Sequence, residues 1–91
     1  MKSIMQTEKK CYMCHATYGL EEHHIFNSAN RRLSERYGLK VWLCVDHHRG
    51  SKAGVHFNRE FSDFLKAEGQ RKFEEQYPDL SFKDIFGKNY K

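Results

Sequence analysis

The chain of 91 residues has only three cysteines and no long apolar run, and each scarcity removes a class of protein. Without a stretch approaching the roughly 20 apolar residues that a bilayer requires, no membrane-spanning helix is expected. Three cysteines cannot pair off completely, so a disulfide framework is a poor fit, and so is a secreted setting. Met1-Lys2-Ser3-Ile4-Met5-Gln6 leads straight into charged residues, without the apolar centre of a signal peptide. A cytoplasmic location is the expectation. Internal repeats and low-complexity tracts are missing as well.

What is present points to metal. Six histidines accompany the cysteines, and the hydrophobic fraction of 38% is low for so short a chain. A domain of this size holds one core and often needs a staple. Basic residues number 16 against 12 acidic, a formal charge of +4, which gives a mild pull toward polyanions. That pull carries weight only where the positive charge lies beside a site.

The densest stretch is Leu43-Cys44-Val45-Asp46-His47-His48-Arg49-Gly50. Cys44 and His47 have the two-residue gap that lets one turn present two ligands, and Cys11 and Cys14 repeat it. Together the four read as a tetrahedral zinc site of three sulfurs and one nitrogen. The plain alternative is three buried free cysteines and a surface histidine. Cys14-His15 also completes Cys-x-x-Cys-His, the c-type haem attachment signature. Haem would leave Cys44-x-x-His47 unexplained, and His15 is better read as a solvated turn residue. A closed zinc site works in folding, since it has no position left for substrate.

Three histidines then remain close by: His23, His24 and His48. Residues 21–26 form a strand-like stretch, so the rings of His23 and His24 point to opposite faces and cannot do the same job. One can bind a metal while the other turns to solvent or substrate. Residues 33–37 suggest a helical turn stopped by Gly38. Residues 39–43 make the best strand, and the two strands are expected to pair as an antiparallel hairpin around a long loop. A long helix is expected over about 55–76, with an apolar stripe of Phe57, Phe61, Phe64 and Leu65 continued by Phe73 and Tyr77. Gly69 weakens its middle and Pro78 ends it. Ser81 to Phe86 reads as a short C-terminal helix with Ser81 as N-cap and Gly87 as stop.

Cys11-x-x-Cys14, then Glu21-Glu22-His23-His24-Ile25, then Leu43-Cys44-x-x-His47-His48 resembles the HNH (ββα-metal) endonucleases, in the form with a structural zinc. The closest likeness is to small HNH-like proteins of bacteriophages and prophages, over about residues 11–77. The resemblance implies an α+β, zinc-stapled ββα-metal domain: an antiparallel hairpin, a long helix and a short C-terminal helix, clasping one divalent ion against DNA. Residues 1–91 would form one domain, with 1–10 a loose lead-in, 11–77 the motif-bearing core and 78–91 a C-terminal extension. By the same resemblance, His24 matches the general base acting on a water. His23 matches a metal ligand, and His48 the ligand at the start of the helix. The implied activity is hydrolysis of DNA phosphodiester bonds with low sequence specificity.

The pattern departs from that family at three places. Residues 38–41 stand where the middle Asn is usual, leaving Asn27 or Asn30 to brace the loop. A glycine-rich insertion follows His48, so His56 could supply a third nitrogen or simply begin the helix. An all-histidine set is softer than one containing a carboxylate and favours Zn²⁺, Ni²⁺ or Mn²⁺ over Mg²⁺. Glu21 or Glu22 could orient a ring, or lie on a solvated strand edge. Arg31, Arg32, Arg49 and Lys52, with Lys40 adding to them, flank the histidines as a phosphate-tracking surface would, or as ordinary solvated loop charge. Two functions stand against each other: the endonuclease, alone or as a homodimer, and a non-catalytic zinc module binding nucleic acid or a phage packaging or recombination protein. A binding module has no need of His23, His24, His48 and His56 near one another.

Overall fold

The computed structural model describes residues 2–50 and 54–91, so Lys52 lies outside the described residues. Leu20–His24 (β1) and Lys40–Cys44 (β2) form a two-stranded antiparallel sheet, with Leu20 opposite Cys44 and His24 opposite Lys40. Alternation sorts the side chains. Glu21, His23, Val41 and Leu43 share one face, and His23, Val41 and Leu43 are all buried there. Glu22, His24, Lys40 and Trp42 share the other.

The loop between the strands holds a 3₁₀ turn, Ser28–Asn30, and a two-turn helix, Arg31–Tyr37 (α1). Gly38 ends α1 at φ +72°, a left-handed conformation that glycine adopts without strain. A Cβ at Gly38 would also meet the Lys2 carbonyl oxygen at 2.4 Å, because the N-terminal chain packs directly on this corner.

That contact corrects the expectation of a loose lead-in over 1–10. Ile4 N donates to Gly38 O at 2.9 Å, Trp42 N to the Gln6 side-chain oxygen at 2.6 Å, and Tyr12 N to Trp42 O at 2.9 Å. Met5 is buried. A strand edge carries backbone groups that need partners, and this segment supplies them along the outer edge of β2.

After β2 comes a single helical turn, Val45–His48 (α2), and then the long helix Arg59–Gln76 (α3). The helix starts later than the expected residue 55. Val55 N donates to His47 O and His56 N to His48 O, which folds residues 54–57 back onto α2. Asn58 caps α3 instead, its side chain accepting from Phe61 N at 3.0 Å. Phe57 therefore precedes the helix and is 69% exposed, while Phe64 is 45% exposed. The buried arc of α3 runs through Phe61, Leu65, Gly69 and Phe73, steps of four residues that leave Phe64 off its edge. A Cβ at Gly69 would stand 3.2 Å from the ring of Phe26 and 3.4 Å from Ile25, so the glycine marks where helix and hairpin approach.

Residues 78–91 are part of the core. Phe82–Phe86 (α4), with Ser81 as N-cap, stacks Phe82 on Phe86 at 4.4 Å and sets both against Phe26 at 5.4 and 5.0 Å. Gln70, fully buried, accepts from Tyr90 N and donates to Asn89, which ties the C-terminal residues to α3. Among the described residues no helix is long and apolar enough to cross a membrane.

Candidate metal centres

The first cluster joins the ends of two local turns. Cys11 N donates to Ala16 O and His15 N to Cys11 O, closing the turn that carries Cys11 and Cys14; His15 sits exposed in it at φ +65°. Cys44 ends β2 and caps α2, whose first turn carries His47. Cys14 Sγ lies 3.7 Å from Cys44 Sγ, and His47 Nδ1 lies 3.2 Å from Cys44 Sγ and 3.8 Å from Cys11 Sγ. A tetrahedron with metal–sulfur bonds of about 2.3 Å and metal–nitrogen bonds of about 2.05 Å has edges of roughly 3.8 Å (S···S) and 3.6 Å (S···N). The donor set and its spacing fit a metal ion. All four ligand atoms lie within 4.8 Å of one another.

Cys11 is prepared for that work. Burial pushes the Cys11 thiol up, but backbone N–H groups of Cys14, Cys44 and Met13 outweigh it and hold its pKa at about 6. Burial and the neighbouring sulfurs push Cys44 up, the repulsion expected of thiols held together without a cation.

The second cluster assembles on the inward face of the hairpin. His23 comes from β1, His48 from the end of α2, and His56 from the turn folded back on α2. Their ring centroids lie 5.2 Å (His23–His48), 5.6 Å (His23–His56) and 4.7 Å (His48–His56) apart. His48 Nε2 and His56 Nε2 face each other at 3.1 Å. Two imidazole nitrogens so close need a shared proton or a shared cation. One ligand nitrogen from each ring falls within 4.8 Å of the others. Burial, reinforced by the neighbouring rings of His48 and His56, drives the His23 pKa down to about 3, so its imidazole stays neutral, the form that ligates metal. Burial likewise lowers His56.

Glu21 finds its role here. His48 Nδ1 donates to Glu21 Oε1 at 2.9 Å, a direction fixed by the carboxylate, which only accepts. That leaves His48 Nε2 for the cluster. Arg49 Nη2 pairs with the other Glu21 oxygen at 2.9 Å. The hydrogen bond from His48 holds the Glu21 carboxyl below its usual range.

His24 does not join this cluster, as strand alternation implies, and the expectation that His23, His24, His48 and His56 stand near one another is corrected for His24. Alternation along β1 turns its ring to the other face, where Nε2 lies 2.9 Å from Glu35 Oε1 on α1. Glu22 Oε1 is 3.9 Å from the same nitrogen, beyond hydrogen-bond reach. Glu35 Oε2 pairs with Lys40 Nζ at 2.9 Å. Lys40 is thereby engaged by Glu35 and Glu22 and adds nothing to a phosphate-tracking surface. Arg31 and Arg32 are exposed and line an open cleft with His24, Glu22, Glu35 and Arg36. Asn30 braces α4 through Phe86 O at 3.3 Å, and Asn27 is exposed.

The two faces meet at one free margin. Ile25 N donates to Leu39 O, so residues 21, 23 and 25 turn their backbone groups to β2. Glu22 and His24 turn theirs outward, and among the described residues nothing pairs with them. Glu35 escaped the sequence reading because nothing in the spacing from His24 to residue 35 signals contact; the loop helix creates it. Comparison with protein-family models, curated proteins and solved structures finds no match to this chain.

Proposed function

We propose that this chain is a metal-dependent endonuclease of the HNH (ββα-metal) type, hydrolysing DNA phosphodiester bonds with little sequence preference. The observation that carries the reading is the convergence of His23, His48 and His56, ring centroids 4.7–5.6 Å apart, beside a separate three-sulfur cluster. In this reading Cys11, Cys14, Cys44 and His47 hold a structural zinc that fixes the end of β2 to the N-terminal turn. His23, His48 and His56 hold a second divalent ion, a nitrogen set that suits Zn²⁺, Ni²⁺ or Mn²⁺ better than Mg²⁺. When bound, that cation supplies positive charge against the charge developing on the phosphate.

The chain's own groups do the rest. Glu21 keeps the proton of His48 on Nδ1 and so aims Nε2 at the cluster. In this reading the substrate phosphate lies along the outer margin of β1, between the face that carries His23 and the face that carries His24. His24, on the far face, accepts the proton of the attacking water. Arg31 and Arg32 pair with flanking phosphates, and Arg49 adds charge beside Glu21. None of these contacts reads a base edge, so low specificity follows.

One observation favours the alternative, a non-catalytic zinc module that binds nucleic acid: His24 sits apart from the other three rings. Nicking of supercoiled plasmid across Mg²⁺, Mn²⁺, Ni²⁺ and Zn²⁺ separates the two. The nuclease reading expects cation-dependent nicking that falls by roughly 10²- to 10⁴-fold in His24→Ala with the fold kept. DNA retention without nicking under any of the four cations supports the binding module. Nicking by His24→Ala at the wild-type rate removes the base assignment.

A further inference from the structure

We propose that Glu35 is a positioning residue: its carboxylate holds His24 in the tautomer protonated at Nε2, so that Nδ1 is the atom that takes a proton. The inference rests on the nuclease reading and deepens it, since nothing in the motif pattern assigns a role to α1.

Three features of the geometry carry it. The carboxylate spans two partners: Oε1 is 2.9 Å from His24 Nε2, and Oε2 is 2.9 Å from Lys40 Nζ. Lys40 stands opposite His24 in the strand register, so cross-strand pairing delivers both partners to one acidic group. A carboxylate fixed by an ammonium at one oxygen cannot swing away from the imidazole at the other. A carboxylate accepts and never donates when ionised, so the ring proton belongs on Nε2 and the lone pair on Nδ1. The nearer competitor for the same nitrogen, Glu22, is too distant at 3.9 Å to set the tautomer.

The support reaches back into the fold. α1 is short, and Ser34, the neighbour of Glu35, is fully buried with its hydroxyl donating to Phe26 O and accepting from Phe26 N. Those two bonds pin α1 against the residues just beyond β1, within three positions of His24. Leu39 N adds a third tie by donating to Ser34 O. Glu35 is thus delivered by a rigid element, as a group that must orient another within tenths of an ångström has to be. His24 and Glu35 line one cleft with Arg31 and Arg32 on its wall.

A purely structural staple between α1 and the hairpin would use the same bond, so the test needs readouts that a staple would not move. The first is the nitrogen spectrum of the full-length, zinc-loaded wild type: ¹⁵N–¹H correlation of the imidazole should show His24 as a single tautomer with its proton on Nε2. Glu35→Ala should give a mixture of tautomers, and Glu35→Gln should also lose the wild-type pattern, because it offers one acceptor oxygen where His24 and Lys40 use two. The second is plasmid nicking under the cation that supports the fastest rate. Glu35→Ala should lower kcat by roughly ten- to a hundredfold with KM nearly unchanged. The same substitution in a His24→Ala background should cost nothing further.

A proton on Nδ1 in the wild type, or an unchanged tautomer in Glu35→Ala, overturns the proposal. So does an equal loss of nicking with and without His24, which would mean that Glu35 acts through the fold. If the tautomer behaves as stated but the wild type nicks under none of the four cations, it is the nuclease reading that has failed, and the catalytic role of the pair goes with it.

Discussion

Adjacent histidines on one strand are split into different chemical roles by their surroundings. His23 is buried beside two other rings and is kept neutral, with a pKa near 3, which suits it to bind a cation and disqualifies it as a base at ordinary pH. Its neighbour meets a carboxylate instead. Hydrogen bonds from His24 and Lys40 hold the Glu35 carboxyl down at about 2, from an ordinary 4.5. A carboxyl whose folded pKa is depressed stabilises the protein fully above the unfolded value and loses that contribution as pH falls toward the folded one. Glu35→Gln should therefore be less stable than wild type above about pH 4.5. The margin should shrink below that, as urea unfolding at successive pH values would reveal. Release of any metal held by the cysteine cluster on acidification would be common to both chains and leave the comparison intact. A margin independent of pH down to 3 would mean that the ion pair contributes nothing. The opposition of His23 and His24 was legible from strand alternation alone. The partnership with Glu35 was not, because it depends on where a loop helix lands and no periodicity encodes that.

The elements divide in the same way. Gly38, Ser81 and Gly87 announced the end of α1 and the limits of α4, and the hairpin was readable from its β-branched and aromatic content. Each of those signals is local. The start of α3 was misplaced because residues 54–57 make backbone bonds to α2, a tertiary preference that overrides helix propensity and delivers His56 to the cluster. Residues 2–10 and 78–91 looked peripheral for want of a periodic pattern, yet one covers the edge of β2 and the other completes the aromatic core. The C-terminal contribution can be measured. Phe82 is 2% exposed and contacts the rings of Phe26, Phe73 and Phe86. Phe82→Ala should cost about 3–5 kcal/mol, read as a lowered urea midpoint at unchanged slope. A loss under 1 kcal/mol would return residues 78–91 to the status of an appendage.

In the whole molecule, the two candidate metal clusters are joined through one short unit. β2 ends in Cys44, α2 follows at once, and its last two residues divide their allegiance: His47 faces the sulfurs and His48 faces the histidines. A chain this small gains little rigidity from burial alone, so in the proposed reading the sulfur cluster would serve the fold and the imidazoles the chemistry. The cysteine spacing made the first site legible from sequence. For the second, the resemblance already offered His23 and His48 with His56 as a possible third nitrogen, and the fold brings these three rings together. The most direct measurement is divalent-ion content after dialysis and saturation, taken together with plasmid nicking, for wild type and His48→Ala. The account predicts two ions per wild-type chain, one of them zinc that survives dialysis. It predicts one ion, a retained fold and no nicking for His48→Ala. Two ions in the variant, or nicking at the wild-type rate, would contradict it.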